Sequence, residues 1–244
     1  MRFHDVCLTF LLVLGERQAY WVCERLARVG IFHRFLSLPL EQTAPVDLHL
    51  IYVILRQTDS ELELFLRQAE LGCIFGLSWL LTWFAHSIDS YAQVVRLFDL
   101  FVAAHPLMPV YFAAALVLYR SSDVLDSCDC EMTQVHTLLS KMPASLPLEA
   151  LISDAQDLFL QFPPSALQGS LLQRYEEDVE RERESSSRSE KQLSLPNLLN
   201  PWRLGRNVRQ RAFTVTFWAV TATAAAWYFY QRYGIDQANW LQFF

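Results

Sequence analysis

Glycine is scarce in this chain, with seven in 244 residues. That scarcity disfavours a turn-rich β protein and favours helices. No stretch alternates apolar and polar residues long enough to predict a sheet, and no internal repeat is present. Basic charge is also short. Lys and Arg number 20 against 26 Asp and Glu, for a net charge of −6. Residues 1–172 carry ten basic and eighteen acidic side chains. Nucleic acid needs a basic face to displace its counterions, so an acidic body of this kind excludes it as a partner.

Other absences narrow the reading further. One Arg, then His4 and Asp5, precede the first apolar run, and no small-residue cleavage site follows it, so no signal peptide is predicted. The cysteines are Cys7, Cys23, Cys73, Cys128 and Cys130, an odd number with three inside apolar stretches. That usage predicts a reducing, cytosolic body with free thiols. No G-x-S-x-G, P-loop, dinucleotide fingerprint or H-E-x-x-H occurs. Cys128 and Cys130 with His136 resemble part of a zinc site. A structural zinc takes four ligands and no second pair stands at suitable spacing, so a loop with free thiols is expected and no metal. His4, His33, His49, His86 and His105 are scattered, and no cofactor is expected.

What is present is helical. Apolar spacing predicts one helix over 5–29, stopped by Gly30, and a short piece over Ile31–Leu36 interrupted by Pro39. A helix over 44–57 has Pro45 near its first turn. Ser60 to Glu63 reads as a capping box, with Ser60 as N-cap, opening a helix to about Glu70. Leu71–Ile88 and Leu100–Tyr119 contain no charged residue and read as buried helices. Shorter helices are predicted near Glu131–Ser140 and Leu148–Phe162. The run Arg174–Lys191 is rich in charge and serine and is predicted to be a linker, helical at most at its start. Its Ser185, Ser186, Ser187 and Ser189 are read first as part of a solvated spacer and second as phosphorylation sites.

The C-terminal part has a different character. Ala212–Tyr230 is 19 residues without charge. As a helix it would be about 28 Å long, close to the hydrocarbon thickness of a bilayer. Arg203, Arg206, Arg209 and Arg211 precede it, and Trp227, Tyr228 and Tyr230 stand near its far end. Residues 201–244 carry a net charge of +4. The positive-inside rule then predicts a tail anchor with the Arg-rich side in the cytosol. The expected organisation is a helical domain over 1–172, a linker over 173–200 and a basic segment plus anchor over 201–244, with the spanning part near 212–230. A polytopic membrane protein is the rival, because the two uncharged stretches approach spanning length. Pro106 and Pro109, and the acidic Glu70, Asp89 and Asp99 at their edges, weigh against it.

Two further stretches point to a family. In "FGLSWLLTWFAH", Trp79, Trp83 and Phe84 fall at helical spacing, and in "VVRLFDLF" Arg96 and Asp99 are placed to pair on one helix face. The chain resembles the later part of a TBC domain, the helical domain of Rab GTPase-activating proteins. That family follows a tryptophan–phenylalanine helix with an arginine-x-x-aspartate helix. The resemblance covers roughly residues 3–165 and is closer to a branch anchored to the endoplasmic reticulum by a C-terminal transmembrane helix. It implies an all-α fold, a GTP-bound Rab and a lipid bilayer as partners, and a place in the early secretory pathway.

It also implies a mechanism. The family inserts an arginine, from I-x-x-D-x-x-R, and a glutamine, from Y-x-Q, into the Rab nucleotide site. Y-x-Q-G precedes an aromatic–His–Asp matched here by Phe3, His4 and Asp5, but Met1 and Arg2 stand in place of Gln and Gly. No I-x-x-D-x-x-R occurs. The expectation is a chain that starts within the domain, past both fingers. It would have no catalytic residue of its own, no GTPase-stimulating activity by itself and less stability than an intact domain. A non-catalytic, tail-anchored helical adaptor is the alternative of a different class.

Overall fold

A computed structural model describes residues 3–194, apart from Gly30, Pro39, Cys73, Cys128 and Ala144. The chain divides into two compact units, Met1–Arg181 and Glu182–Phe244. Among the described residues all regular structure is helical, and no helix is long and apolar enough to cross a membrane. Arg203, Arg206, Arg209, Arg211, Trp227, Tyr228 and Tyr230 lie outside the described residues, as does the whole expected anchor.

The first helical stretch is two helices rather than one. Gly15 takes φ 74°, a left-handed conformation open to glycine, and separates α1 (Phe3–Leu14) from α2 (Glu16–Arg28). Helical periodicity continues across the break, which is why the pattern alone reads as one helix. The short α3 (Ile31–Ser37) follows, then α4 (Leu40–Thr58), which starts four residues before the predicted 44.

The cap of α5 (Ser60–Gln68) also differs from expectation. Asp59 is the N-cap and its carboxylate accepts from the Leu62 N–H at 3.0 Å. Ser60 is the first helical residue. Glu63 does not reach back to the cap but turns into the core, fully buried. There it pairs with Arg56 at 3.1 Å and Arg67 at 3.0 Å. α5 ends before Glu70, which takes the left-handed conformation (φ 52°) as Leu71 N–H donates back to Leu66 O.

The two uncharged stretches are shorter helices than their hydropathy implied. Leu71–Ile88 contains α6 (Ile74–Thr82), followed by turns. Leu100–Tyr119 contains the end of α7 (Tyr91–Ala103), a break at Ala104–Leu107 and α8 (Met108–Tyr119). Every residue of α8 from Met108 to Val117 is buried. α8 has no amphipathic face because it is surrounded: α4, α6, α7 and α9 (Ser121–Ser127) pack on it, together with α11 (Leu148–Gln161). α10 (Met132–Ser140) packs against α6. Arg120 follows α8 and donates through Nη1 to Leu138 O at 2.5 Å and Lys141 O at 2.7 Å, satisfying carbonyls at the end of α10.

After the short α12 (Pro164–Ala166) and a π-helical turn (Leu167–Leu171), the charged segment forms α13 (Leu172–Ser194). A linker was predicted there because few apolar residues are present. The first two turns supply enough, since Tyr175 is buried and Leu172 and Val179 pack against the core. Ion pairs at helical spacing extend it, such as Arg181 with Asp178 at 2.8 Å. In the second unit the described residues continue α13 from Glu182, with the Ser185 and Ser187 hydroxyls donating to the carbonyls of Glu182 and Glu184.

Tyr175 holds α13 to the body. Its hydroxyl donates to Glu63 Oε1 at 2.8 Å in a buried site, and the His49 ring lies edge-on to it at 5.1 Å. A hydrogen bond to a charged group is worth about 1.5–3 kcal/mol. Tyr175→Phe is therefore expected to destabilise the chain by roughly 2 kcal/mol and to open α13 to proteolysis first. Urea unfolding and limited digestion measure both, and an unchanged midpoint would remove Tyr175 from the account.

Candidate functional site

α1 has two apolar faces. Phe3, Val6 and Phe10 are spaced at i, i+3 and i+7 and face inward. The Phe3 ring meets Phe32 at 5.1 Å, and Phe10 meets Phe98 at 5.2 Å and Trp83 at 6.4 Å. The other face is solvent-exposed: Leu8, Leu11, Leu12 and Val13, with Leu12 at 65% exposure. On α2, Tyr20 and Trp21 are 63% and 60% exposed, with their rings edge-to-face at 5.5 Å. The outward sides of α1 and α2 thus carry exposed apolar side chains.

Next to this surface lies a groove of about 390 Å³. Trp21, Val22 and Leu26 of α2 form one wall, Phe101 and Val102 of α7 the other, with Phe32 and Trp83 also lining it. What the fold gathers here is mainly rings and aliphatic side chains, together with Arg25 of α2. Among the described residues no group of three or more His, Cys, Asp and Glu is arranged to hold a metal. Cys130 donates to Phe65 O at 3.6 Å, His136 stands beside Ser140, and Cys128 lies outside the described residues. Cys23 is a free thiol pushed up to about 12, first by burial and then by its contact with Cys7.

Trp83 is the centre of the site. Its indole meets Phe32 at 5.0 Å, Phe98 at 5.4 Å and Phe101 at 5.4 Å. Its backbone ends α6 in a Schellman arrangement: Phe84 N–H donates to Trp79 O at 2.9 Å, and Trp83 occupies the left-handed position at φ 49°. Glycine is the usual occupant there. Phe84 is left-handed too, at φ 67°. For bulky side chains these conformations are outliers, each costing about 1–3 kcal/mol. They are held because the rings they aim inward have no other place to pack. Phe84 stacks on Trp79 at 5.7 Å and meets Phe112 of α8 edge-on at 5.0 Å.

The remaining motif residues lie around this centre. His4 is exposed, with Nε2 3.1 Å from Asp5 Oδ1. Arg96 does not pair with Asp99. Its guanidinium instead takes both oxygens of Glu149 at 3.0 Å, joining α7 to α11. Glu149 is a bidentate acceptor reached across the fold, whereas an i, i+3 carboxylate offers poorer geometry. Both partners are exposed, so the pair is worth no more than about 1 kcal/mol. Tyr91-Ala92-Gln93 repeats the Y-x-Q spacing, but Val94 follows it, and the Gln93 amide is tied to Leu146 O at 3.3 Å.

Sequence reading missed the buried ion pairs. Asp47 is fully buried, with Oδ1 2.5 Å from Arg34 Nη2 and Oδ2 without a partner. The available signal was a lone carboxylate within the apolar run of α4. Burial pushes the Asp47 carboxyl above its usual range, and the Arg34 guanidinium opposes that shift.

A sequence model of the family described as the Rab-GTPase-TBC domain matches residues 2–125, about half of the chain. The chain belongs to this family. TBC1 domain family member 20 of Bos taurus is 51% identical over 165 residues, covering 68% of this chain and 40% of that protein. Its Homo sapiens counterpart is 50% identical over the same length. GTPase-activating protein gyp10 of Schizosaccharomyces pombe is 33% identical over 170 residues, 67% of this chain and 44% of that one. The chain thus spans about two fifths of the length of these relatives. The family segment runs from α1 into α9 and contains Phe3, His4, Asp5, Trp79, Trp83, Phe84, Arg96 and Asp99. α10 to α13 lie beyond it.

Two expected outcomes follow from this TBC site. Trp83→Ala removes a buried ring and keeps the left-handed strain, so it should cost about 3–5 kcal/mol. Trp83→Gly loses the same ring but relieves the strain, and should unfold about 1 kcal/mol later than the alanine variant. Chemical denaturation of both variants checks the order, and the reverse order would mean that residue 83 is unstrained.

Asp47 gives a pH signature. With its folded-state pKa raised, its contribution to stability is full below the unfolded value of about 3.9 and is lost as pH rises through the folded value. The stability of wild type minus that of Asp47→Asn should therefore fall on going from about pH 3 to pH 7. A rise over that range would mean that Arg34 outweighs burial.

Proposed function

We propose that this chain is the later part of a membrane-anchored Rab GTPase-activating protein of the early secretory pathway. In that reading GTP-bound Rab is its partner, and residues 212–230 hold it to the bilayer. The observation that carries the reading is the match of residues 2–125 to the Rab-GTPase-TBC domain. The anchor rests on the uncharged run Ala212–Tyr230 with four arginines before it.

Stimulating a GTPase requires stabilising charge on the transferring phosphoryl group and holding the attacking water. An arginine supplied in trans is worth about 10³–10⁵ in rate. The I-x-x-D-x-x-R motif that carries it in the family does not occur in these 244 residues, and Met1 and Arg2 stand where the glutamine motif would end. In this reading the chain by itself does not stimulate Rab GTP hydrolysis.

The exposed Leu8, Leu11 and Leu12 face supports a second reading, a helical adaptor that binds partners without catalysis. The test is single-turnover GTP hydrolysis on a panel of Rab proteins with the chain in excess. The expected result is hydrolysis at each Rab's intrinsic rate. Stimulation of about a hundredfold or more on any Rab would contradict the absence of fingers. Retention of at least one GTP-loaded Rab on the immobilised chain supports the first reading, and retention of none favours the adaptor.

A further inference from the structure

α13 changes character after Val179. From Glu180 to Gln192 the sequence has no apolar residue, and Ser185, Ser186 and Ser187 are exposed. A helix that is polar all round has little to hold it closed and opens locally at low cost. The Ser185 and Ser187 hydroxyls each donate to the carbonyl three residues back, at 2.8 Å and 3.0 Å.

The four serines of this tract differ in what precedes them. Ser186 has Arg183 three positions before it and Arg181 five before it. Ser185 has Glu182 and Glu180 at those positions, and Ser187 has Glu184 and Glu182. Ser189 has Ser186 and Glu184. A protein kinase whose peptide groove carries carboxylates reads guanidinium groups by paired, charge-assisted hydrogen bonds. Such a groove accepts Ser186 and meets repulsive carboxylates when Ser185 or Ser187 is offered. Ser187 has an acid, Glu190, three residues after it, but Arg188 directly follows it and opposes a groove built for acidic sequence.

We propose that Ser186 is a phosphoacceptor for an arginine-directed, ATP-dependent protein kinase. Ser186 Oγ forms a bond to the γ-phosphorus of ATP as the bond to the β–γ bridging oxygen breaks. ADP leaves, and the hydroxyl proton passes to the kinase's general base. The product carries about −1.5 to −2 of charge. Glu182 and Glu190 are four residues before and after it in the helix, against a single Arg183 three before. Like charges at that spacing oppose the helix, so phosphorylation loosens the far half of α13.

The test incubates the full chain with Mg·ATP and either an arginine-directed or an acid-directed kinase, and maps phosphate by peptide mass spectrometry. With the arginine-directed kinase the expected product has one phosphate, on Ser186. Ser186→Ala should remove it, and Arg183→Ala should slow it about tenfold or more, as for loss of a charge-assisted contact. No incorporation, phosphate on Ser185, Ser187 or Ser189 instead, indifference to Arg183→Ala, or faster modification by the acid-directed kinase would each overturn the proposal.

Discussion

One indole joins four parts of the body. Trp83 ends α6, and its ring meets Phe10 of α1, Phe32 of α3, and Phe98 and Phe101 of α7. Its removal takes away a ring that α1, α3 and α7 all touch, leaving direct contacts such as Phe10 with Phe98 and Arg34 with Asp47. Edge-on and tilted ring pairs add about 0.5–1.5 kcal/mol each beyond the area they bury. That gain lets a tryptophan and a phenylalanine occupy successive left-handed positions. It also accommodates an indole N–H that is buried without a partner. Behind this cluster, α8, buried from Met108 to Val117, is the wall on which Phe84 and Phe101 rest through Phe112.

Buried charge sets the remaining geometry. Glu63 is surrounded by Arg56, Arg67 and Tyr175, so α4, α5 and α13 share one carboxylate. Arg120 bridges the end of α8 to the end of α10. Removing one partner from a buried pair leaves an uncompensated charge, so these contacts tolerate little change in helix position. They hold the helices in register alongside the aromatic cluster and the aliphatic core. The outer faces of α1 and α2 take no part in either and present Leu12, Tyr20 and Trp21 outward.

The sequence made the helical class legible because periodicity and scarce glycine report it directly. It also placed Trp79, Trp83 and Phe84 at helical spacing; all three are buried and Phe84 stacks on Trp79, but α6 ends at Thr82, and Trp83 and Phe84 lie past it in left-handed positions. What it could not reveal depends on conformation rather than pattern. The break at Gly15 preserves the apolar spacing, so α1 and α2 read as one helix. Glu63 fits a capping box by spacing, yet Asp59 does the capping and leaves Glu63 for the core. Arg96 faces Glu149 from 53 residues away, a pairing that no local rule contains. α13 reads as a linker because few of its residues are apolar; those that pack on the core, Leu172, Tyr175 and Val179, stand near its start.

The central claim is that α1 belongs to the same cooperative core as α6, α7 and α8, joined to them through Trp83. Native-state hydrogen exchange of the full chain tests it most directly. The account predicts that amides of α1 and α8 exchange through one opening of similar free energy, and that Trp83→Ala lowers both together. Fast exchange of α1 while α8 stays protected, or a Trp83→Ala effect confined to α6, would contradict it.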